Sequence, residues 1–448
     1  MRTRSRNPVH RVTTAHLQSA YPFAAASGGW APGIYLGDDV CGGGSAFCYD
    51  PWELYAAGLL TNPNMLVTGQ VGRGKSALVK SYCARSLVFG RRVIVLDRKG
   101  EFARLCEAAQ TLPIRLEPGG RVRLNPLEAR GGGSPDGIRR DRIDALIALG
   151  GAARRGGLLA AEKAALAIAL DRAVAESAED PTLPGVVRAL LAPRDDDAAQ
   201  LAMSARELAE GSRDVALELR RLVDGELRGM FDGPTTPGVD LAHPLVVFDI
   251  SGVANTIDAL SALMVCVAAW VQRSLQRESD ATRRSIFVLE EAWSCLASLE
   301  VARWMRSLQK LSRQYGIQVV LVLHRFSDLL AAGAEGSEAV AVARGLLSDT
   351  ETHVVHGMPA SEVAATRELL ALTDTEAEIV GRLPRGRALW RVRGRSFVVD
   401  LRLSRLEEWI CDTDARCRPI SRGFAGLEGD AAQRRQENTS VRACRGAA

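Results

Sequence analysis

The chain has 448 residues, 47% hydrophobic and 25% charged, a balance that excludes a mostly disordered, collagenous or coiled-coil protein. At about 150 residues per domain the length corresponds to two or three domains. The net charge is +4, and Arg2, Arg4, Arg6 and Arg11 account for all of it, so a broadly basic, nucleic-acid-coating surface is not indicated, while a local basic channel stays open.

Residues 1–28 are basic and polar, then glycine-rich, and read as a flexible arm. Residues 29–60 read as a β-hairpin lead-in: Ile34–Leu36 and Ala46–Tyr49 have strand character and flank Gly42-Gly43-Gly44. The segment from residue 61 to 130 is expected to be the first part of an α/β core. In it the apolar strand Asn64–Thr68 runs into a glycine-rich turn and a helix over Lys75–Phe89, and Arg91–Leu96 is a second strand ending at Asp97. Buried strands alternating with amphipathic helices predict a mainly parallel sheet covered on both faces.

Residues 131–240 are rich in alanine and leucine, with helical spacing at Ile143, Leu146 and Ile147 and breaks at Pro181, Pro184 and Pro193. They predict an all-helical insertion. The core resumes over 241–412, with strands at Leu245–Ile250, Ser285–Leu289, Ile317–Leu323, His353–Gly357, Ala388–Val392 and Phe397–Leu401. Residues 413–448 are polar and arginine-rich and are expected to be disordered. No apolar run reaches the roughly 18 residues of a membrane helix; the longest, Ala259–Val271, reads as a buried core helix. Nine scattered cysteines without a CxxC pair argue against a disulfide framework or structural zinc and point to a reducing cytoplasm. No apolar segment follows the basic N-terminus, so no secretory signal is expected.

Gly69-Gln70-Val71-Gly72-Arg73-Gly74-Lys75-Ser76 fits G-x-x-x-x-G-K-[ST], with the strand before and the helix after that a phosphate-binding loop requires. Its backbone N–H groups, with Ala77 at the helix start, would wrap phosphate oxygens. Lys75 would bridge the β- and γ-phosphates, and the Ser76 hydroxyl would ligate Mg²⁺. The helix N-terminus adds its positive dipole.

Ser285–Leu289 is followed by Glu290 and Glu291. Glu290 is assigned to the magnesium shell through water, and Glu291 is the candidate general base. Ile317–Leu323 ends at His324, where a polar side chain can hydrogen-bond the γ-phosphate or the attacking water. Asp97 either orients Lys75 or caps the following helix; Asp249 has the same two readings, with the cap favoured. Among Arg303, Arg306 and Arg313 on the helix expected over Trp293–Tyr315, Arg313 is the preferred arginine finger toward a neighbouring subunit. His353 and His356 fall on opposite faces of a strand, which disfavours a metal site.

The ordered set Tyr49-Asp50-Pro51-Trp52, the phosphate loop, Leu96-Asp97-Arg98-Lys99-Gly100-Glu101, Leu124-Asn125-Pro126-Leu127, Glu290-Glu291-Ala292-Trp293, Leu311-Ser312-Arg313-Gln314-Tyr315-Gly316 and Pro384-Arg385-Gly386-Arg387-Ala388 resembles the conjugal-transfer ATPases of type IV secretion systems. These are TraC/TrbE-type members of the HerA–FtsK superfamily, and the version here is similar to actinobacterial ones. The resemblance spans about residues 30–412. It implies a RecA-like P-loop ATPase that hydrolyses ATP with Mg²⁺ and works as a homo-hexamer. Such a motor is cytoplasmic and peripheral at the inner face of the membrane, and energises channel assembly or substrate transfer together with channel proteins. Family members often carry Asp at the position of Glu290, Pro at Arg98 and Gln at His324. Many also have a larger N-terminal domain, so a truncated or split gene is a further expectation. Two alternatives stay open: a DNA translocase or coupling protein of the same superfamily, and an ATP-binding structural subunit with little hydrolysis.

Overall fold

The computed structural model describes residues 33–129, 134–152, 157–241, 243–253, 257–277, 283–290, 315–324 and 349–412, with separate helical positions at 302, 303, 305, 306, 309, 341, 342, 344, 345 and 347. The described strands form one 11-stranded sheet in the order β2-β1-β11-β10-β9-β3-β8-β7-β4-β6-β5. The parallel part comprises β3 (Met65–Thr68), β4 (Arg92–Asp97), β5 (Ile114–Arg115), β6 (Leu245–Asp249), β7 (Ser285–Leu289), β8 (Ile317–Leu323) and β9 (Thr352–His356). The antiparallel part comprises β1 (Ile34–Asp39), β2 (Ser45–Tyr49), β10 (Arg387–Val392) and β11 (Arg395–Leu401). The β1–β2 hairpin is continuous with the sheet, because β1 pairs with β11.

Side chains alternate between two apolar layers, as the two-residue strand period requires. Leu66, Ile94, Leu96, Phe248, Leu289 and Leu321 enter one layer. Met65, Val67, Val93, Val95, Val247, Val288 and Val320 enter the other. Burial on both faces explains why these strands read as continuous apolar runs rather than as alternating ones.

The second layer is closed by α1 (Pro51–Ala56), α2 (Lys75–Val88), α3 (Ala103–Ala108) and α13 (Arg405–Cys411). Helix α2 buries Lys75, Leu78, Val79, Tyr82, Cys83 and Ser86, a stripe at helical spacing. Helix α13 lies against α2 and α3. Its Glu407 accepts hydrogen bonds from Ser81 Oγ at 2.6 Å and Arg85 Nη2 at 2.9 Å.

The first layer carries the helices of the segment between β5 and β6: α4 (Pro135–Ala152), α5 (Ala160–Glu176), α6 (Leu183–Leu191), α7 (Asp195–Ala199), α8 (Ala205–Gly211) and α9 (Arg213–Asp224). They pack mainly on each other and on α10 (Ile257–Arg277). Ala259–Val271 of α10 is buried throughout. Trp270 meets Phe248 of β6 edge-to-face at 5.7 Å, and its indole N–H donates to Thr235 at 3.2 Å. Helix α10 thus joins the helical block to the sheet. Among the described residues no helix is long and apolar enough to cross a membrane. The remaining helices are α11 (Ala360–Leu370) and α12 (Asp374–Arg382), which pack beside β10.

Candidate nucleotide-binding site

The site lies at the carboxyl ends of the parallel strands, where the central strands change direction of connection. Thr68 of β3 pairs with Leu323 of β8 on one side and Val355 of β9 on the other. Gly69 therefore leaves the sheet between His324 and His356.

The loop's glycines are required by its backbone. Gly69, Gly72 and Gly74 have φ of +147°, +80° and +107°, values that L side chains rarely adopt. Gly74 is the N-cap of α2. The loop is braced from below: Gln70 N–H donates to the Gly357 carbonyl at 3.2 Å, and Gly386 N–H donates to the Arg73 carbonyl at 3.1 Å. Lys75 is buried, and its ammonium donates to the carbonyls of Gly69 and, at 3.0 Å, Gln70. Ser76 and Ala77 open α2 beside it, and Val71 is exposed at the loop's tip.

His356 fills the space under the loop. Burial, followed by the Lys75 charge, lowers its pKa to about 3, so the ring is neutral. Among the described residues neither ring nitrogen meets a partner in good hydrogen-bond geometry, although the Arg73 and Arg387 backbone lies beside the ring. In the sequence His356 shows only as the partner of His353 on opposite faces of a strand, which carries no sign of this position. Nothing in the local sequence shows that β9 becomes the neighbour of β3.

On the other flank, Glu290 follows β7 and Asp97 ends β4. The pairing of Leu289 with Leu96 puts the two acids level with each other. Asp97 accepts from the backbone N–H of Lys99 at 3.1 Å and of Phe102 at 2.9 Å. It caps the turn that follows β4. Asp249 is likewise a cap, accepting from Ser251 N–H at 3.0 Å and Oγ at 2.6 Å. Burial, then Asp97 and Glu101, raise the pKa of Glu290 to about 8, against the lowering charges of Lys99 and Lys80. Lys80 of α2 pairs with Glu101 at 3.4 Å.

The Oε2 atom of Glu290 is buried and, among the described residues, has no hydrogen-bond partner. Such an orphaned acceptor, beside a phosphate loop with Ser76 at its helix start, fits an outer-shell role toward a hydrated Mg²⁺. Among the described residues no three His, Cys, Asp or Glu side chains converge as a metal cage.

His324 ends β8, with its Nε2 atom 3.3 Å from the ammonium of Lys99. Arg306 is engaged within the chain by Asp349, at 2.9 Å and 3.1 Å. Glu291 and Arg313 lie outside the described residues.

A phosphate loop at the end of a central parallel strand, with a buried acid two strands away, defines a RecA-like P-loop nucleotide-binding protein. The family model of the TraG P-loop domain matches residues 34–385, and the chain belongs to that family. The structure of VirB4 of Thermoanaerobacter pseudethanolicus superposes with a TM-score of 0.68 at 20% identity, covering 85% of this chain and all of that one. The plasmid coupling protein TrwB in complex with the non-hydrolysable ATP analogue ADPNP gives 0.56 at 16% identity, covering 90% and 96%. TrwB with ADP and Mg²⁺ gives 0.53 at 16%, covering 76% and 86%. No curated protein matches the chain in sequence.

Proposed function

We propose that the protein is an ATP-hydrolysing motor of a conjugative or type IV secretion system. The observation that carries this reading is the presence, within a TraG-family domain, of the Gly69–Ser76 loop and the buried acid Glu290 at the carboxyl ends of the parallel strands β3 and β7, with β8 between them. TrwB, similar in fold, has been crystallised with an ATP analogue and with ADP and Mg²⁺, which supports the same ligands here.

In this reading the loop amides and Lys75 hold the β- and γ-phosphates. Ser76 and, through water, Glu290 hold Mg²⁺, which when bound neutralises phosphate charge. Glu291 takes a proton from the attacking water, whose oxygen bonds to the γ-phosphorus as the bond to ADP breaks. His324, beside Gly69 in the sheet, orients that water or the phosphate. Arg313 of a neighbouring subunit completes the site in a homo-hexamer that sits peripherally at the inner face of the membrane beside channel proteins. The core is taken as residues 61–130 and 241–412, and the helical segment 131–240 transmits its motion to a partner.

Two other readings have specific support. Likeness to the conjugative coupling protein TrwB supports a DNA translocase or coupling protein. The raised pKa of Glu290 supports an ATP-binding structural subunit that turns over slowly at neutral pH. Steady-state ATP hydrolysis with and without DNA, with Lys75→Ala as the control, separates the three. Hydrolysis indifferent to DNA supports the secretion motor. Severalfold stimulation by DNA moves the reading to a translocase, and tight binding without turnover to the structural subunit. Full activity of Lys75→Ala overturns the site itself.

A further inference from the structure

Only five of the 57 basic residues are lysine: Lys75, Lys80, Lys99, Lys163 and Lys310. Three of these five converge on the nucleotide site. Lys75 lies in the loop, Lys80 pairs with Glu101, and Lys99 reaches His324. Where arginine is the usual base, lysine supplies a compact ammonium, a point charge on a flexible stem, rather than a rigid fork.

Lys99 is presented by a fixed turn. Asp97 binds the amides of Lys99 and Phe102, and Gly100 closes the turn at φ +67°. A Cβ on Gly100 would stand 3.3 Å from Ser251 Oγ. The exposed side chain then extends from the end of β4 to the end of β8. Strand β7 lies between these two, so the Lys99–His324 contact passes over the strand that carries Glu290. The charge of Lys99 is felt at Glu290, whose pKa it lowers. His324 in turn is one register step from Gly69, where the loop begins.

An ammonium donating to Nε2 needs a neutral imidazole with its lone pair on that atom. A phosphate oxygen is a stronger acceptor for the same ammonium, because the hydrogen bond is then charge-assisted on both sides. We propose that Lys99 is a terminal-phosphate sensor, exchanging His324 for an oxygen of the γ-phosphate, so that the site distinguishes a nucleoside triphosphate from a diphosphate. The exchange also releases His324 toward the attacking water. This inference rests on the reading of Gly69–Ser76 as an ATP site.

The test is calorimetric titration of the full chain with a non-hydrolysable ATP analogue and with ADP, each with Mg²⁺, for the wild type, Lys99→Ala, Lys99→Met and Lys75→Ala. Loss of one charge-assisted bond corresponds to about tenfold in affinity. Both Lys99 variants are expected to bind the triphosphate about tenfold more weakly, with ADP within twofold of the wild type. Equal weakening of both nucleotides, or no change in either, overturns the proposal while leaving the ATP site in place. A wild-type chain that binds neither nucleotide removes the site and the proposal together. Lys99→Met keeps the aliphatic stem, so it separates the ammonium from packing.

Discussion

Gly69 and His356 touch with no space between them: a Cβ built on Gly69 would stand 2.5 Å from His356 Cβ and 3.1 Å from its Cα. Both groups belong to the ends of adjacent strands, so neither can retreat without disturbing the sheet. Gly69→Ala adds that clash to the unfavourable φ of +147°, a backbone strain of about 1–3 kcal/mol by itself. Nucleotide affinity is expected to fall at least tenfold, with the far-ultraviolet circular dichroism of the wild type retained. Unchanged affinity would mean that the loop does not depend on this contact.

Glu290 gives the site a pH dependence. Burial, with Asp97 and Glu101 nearby, raises its pKa to about 8 from an ordinary 4.5. A carboxyl raised in this way stabilises the fold below its unfolded pKa, and that contribution is lost as pH rises from about 4.5 through about 8. Glu290→Gln removes the titration. At pH 9 it is expected to melt about 3 °C or more above the wild type, and at pH 4 to melt with it. Wild-type ATP hydrolysis should rise between pH 6.5 and 8.5, because the carboxylate form is the one suited to Mg²⁺. A flat stability difference across pH would show that Glu290 is ionised in the fold throughout.

Glu407 works in the opposite sense. Burial would raise its pKa, but hydrogen bonds from Arg85, Ser81 and Ser404 outweigh this and hold it at about 2. Its contribution is present above its unfolded pKa and is lost as pH falls from about 4.5 toward 2. Glu407→Gln should cost on the order of 2 kcal/mol at pH 7, the worth of the charge-assisted bonds that dock α13 on α2. Near pH 2 the variant and wild type should converge. His356, held near 3 by burial and Lys75, adds acid sensitivity from about pH 6.5 downward in both proteins. Denaturant titrations at pH 7 and pH 3 check the sign: an equal difference at the two values would remove Glu407 from the docking.

Much of this architecture follows from local chemistry. The apolar runs that become β3, β4, β6, β7 and β8 are buried on both faces, so composition alone marks them as central strands. The phosphate loop is legible because its glycines, Lys75 and Ser76 are contiguous, and its conformation is dictated by positive φ at Gly69, Gly72 and Gly74. The positions of Glu290 and His324 just beyond strands are legible because each follows an apolar run, and strand ends are where a parallel sheet collects its polar groups.

Pairing across the sheet is a different kind of information. The two-residue strand β5 carries too few residues for any periodicity. No local pattern states that β9 borders β3, so His356 under the loop was invisible until the register was known. The same holds for Lys99 and His324, which are 225 positions apart in sequence and 3.3 Å apart in space. The pKa values of Glu290 and His356 depend on which charges and how little water surround them. Sequence determined the elements and the conformation of the Gly69–Ser76 loop, because backbone dihedrals and hydrophobic burial act over a few residues. Only the tertiary structure decided which strand ends face each other, because that choice is made by packing between segments hundreds of residues apart.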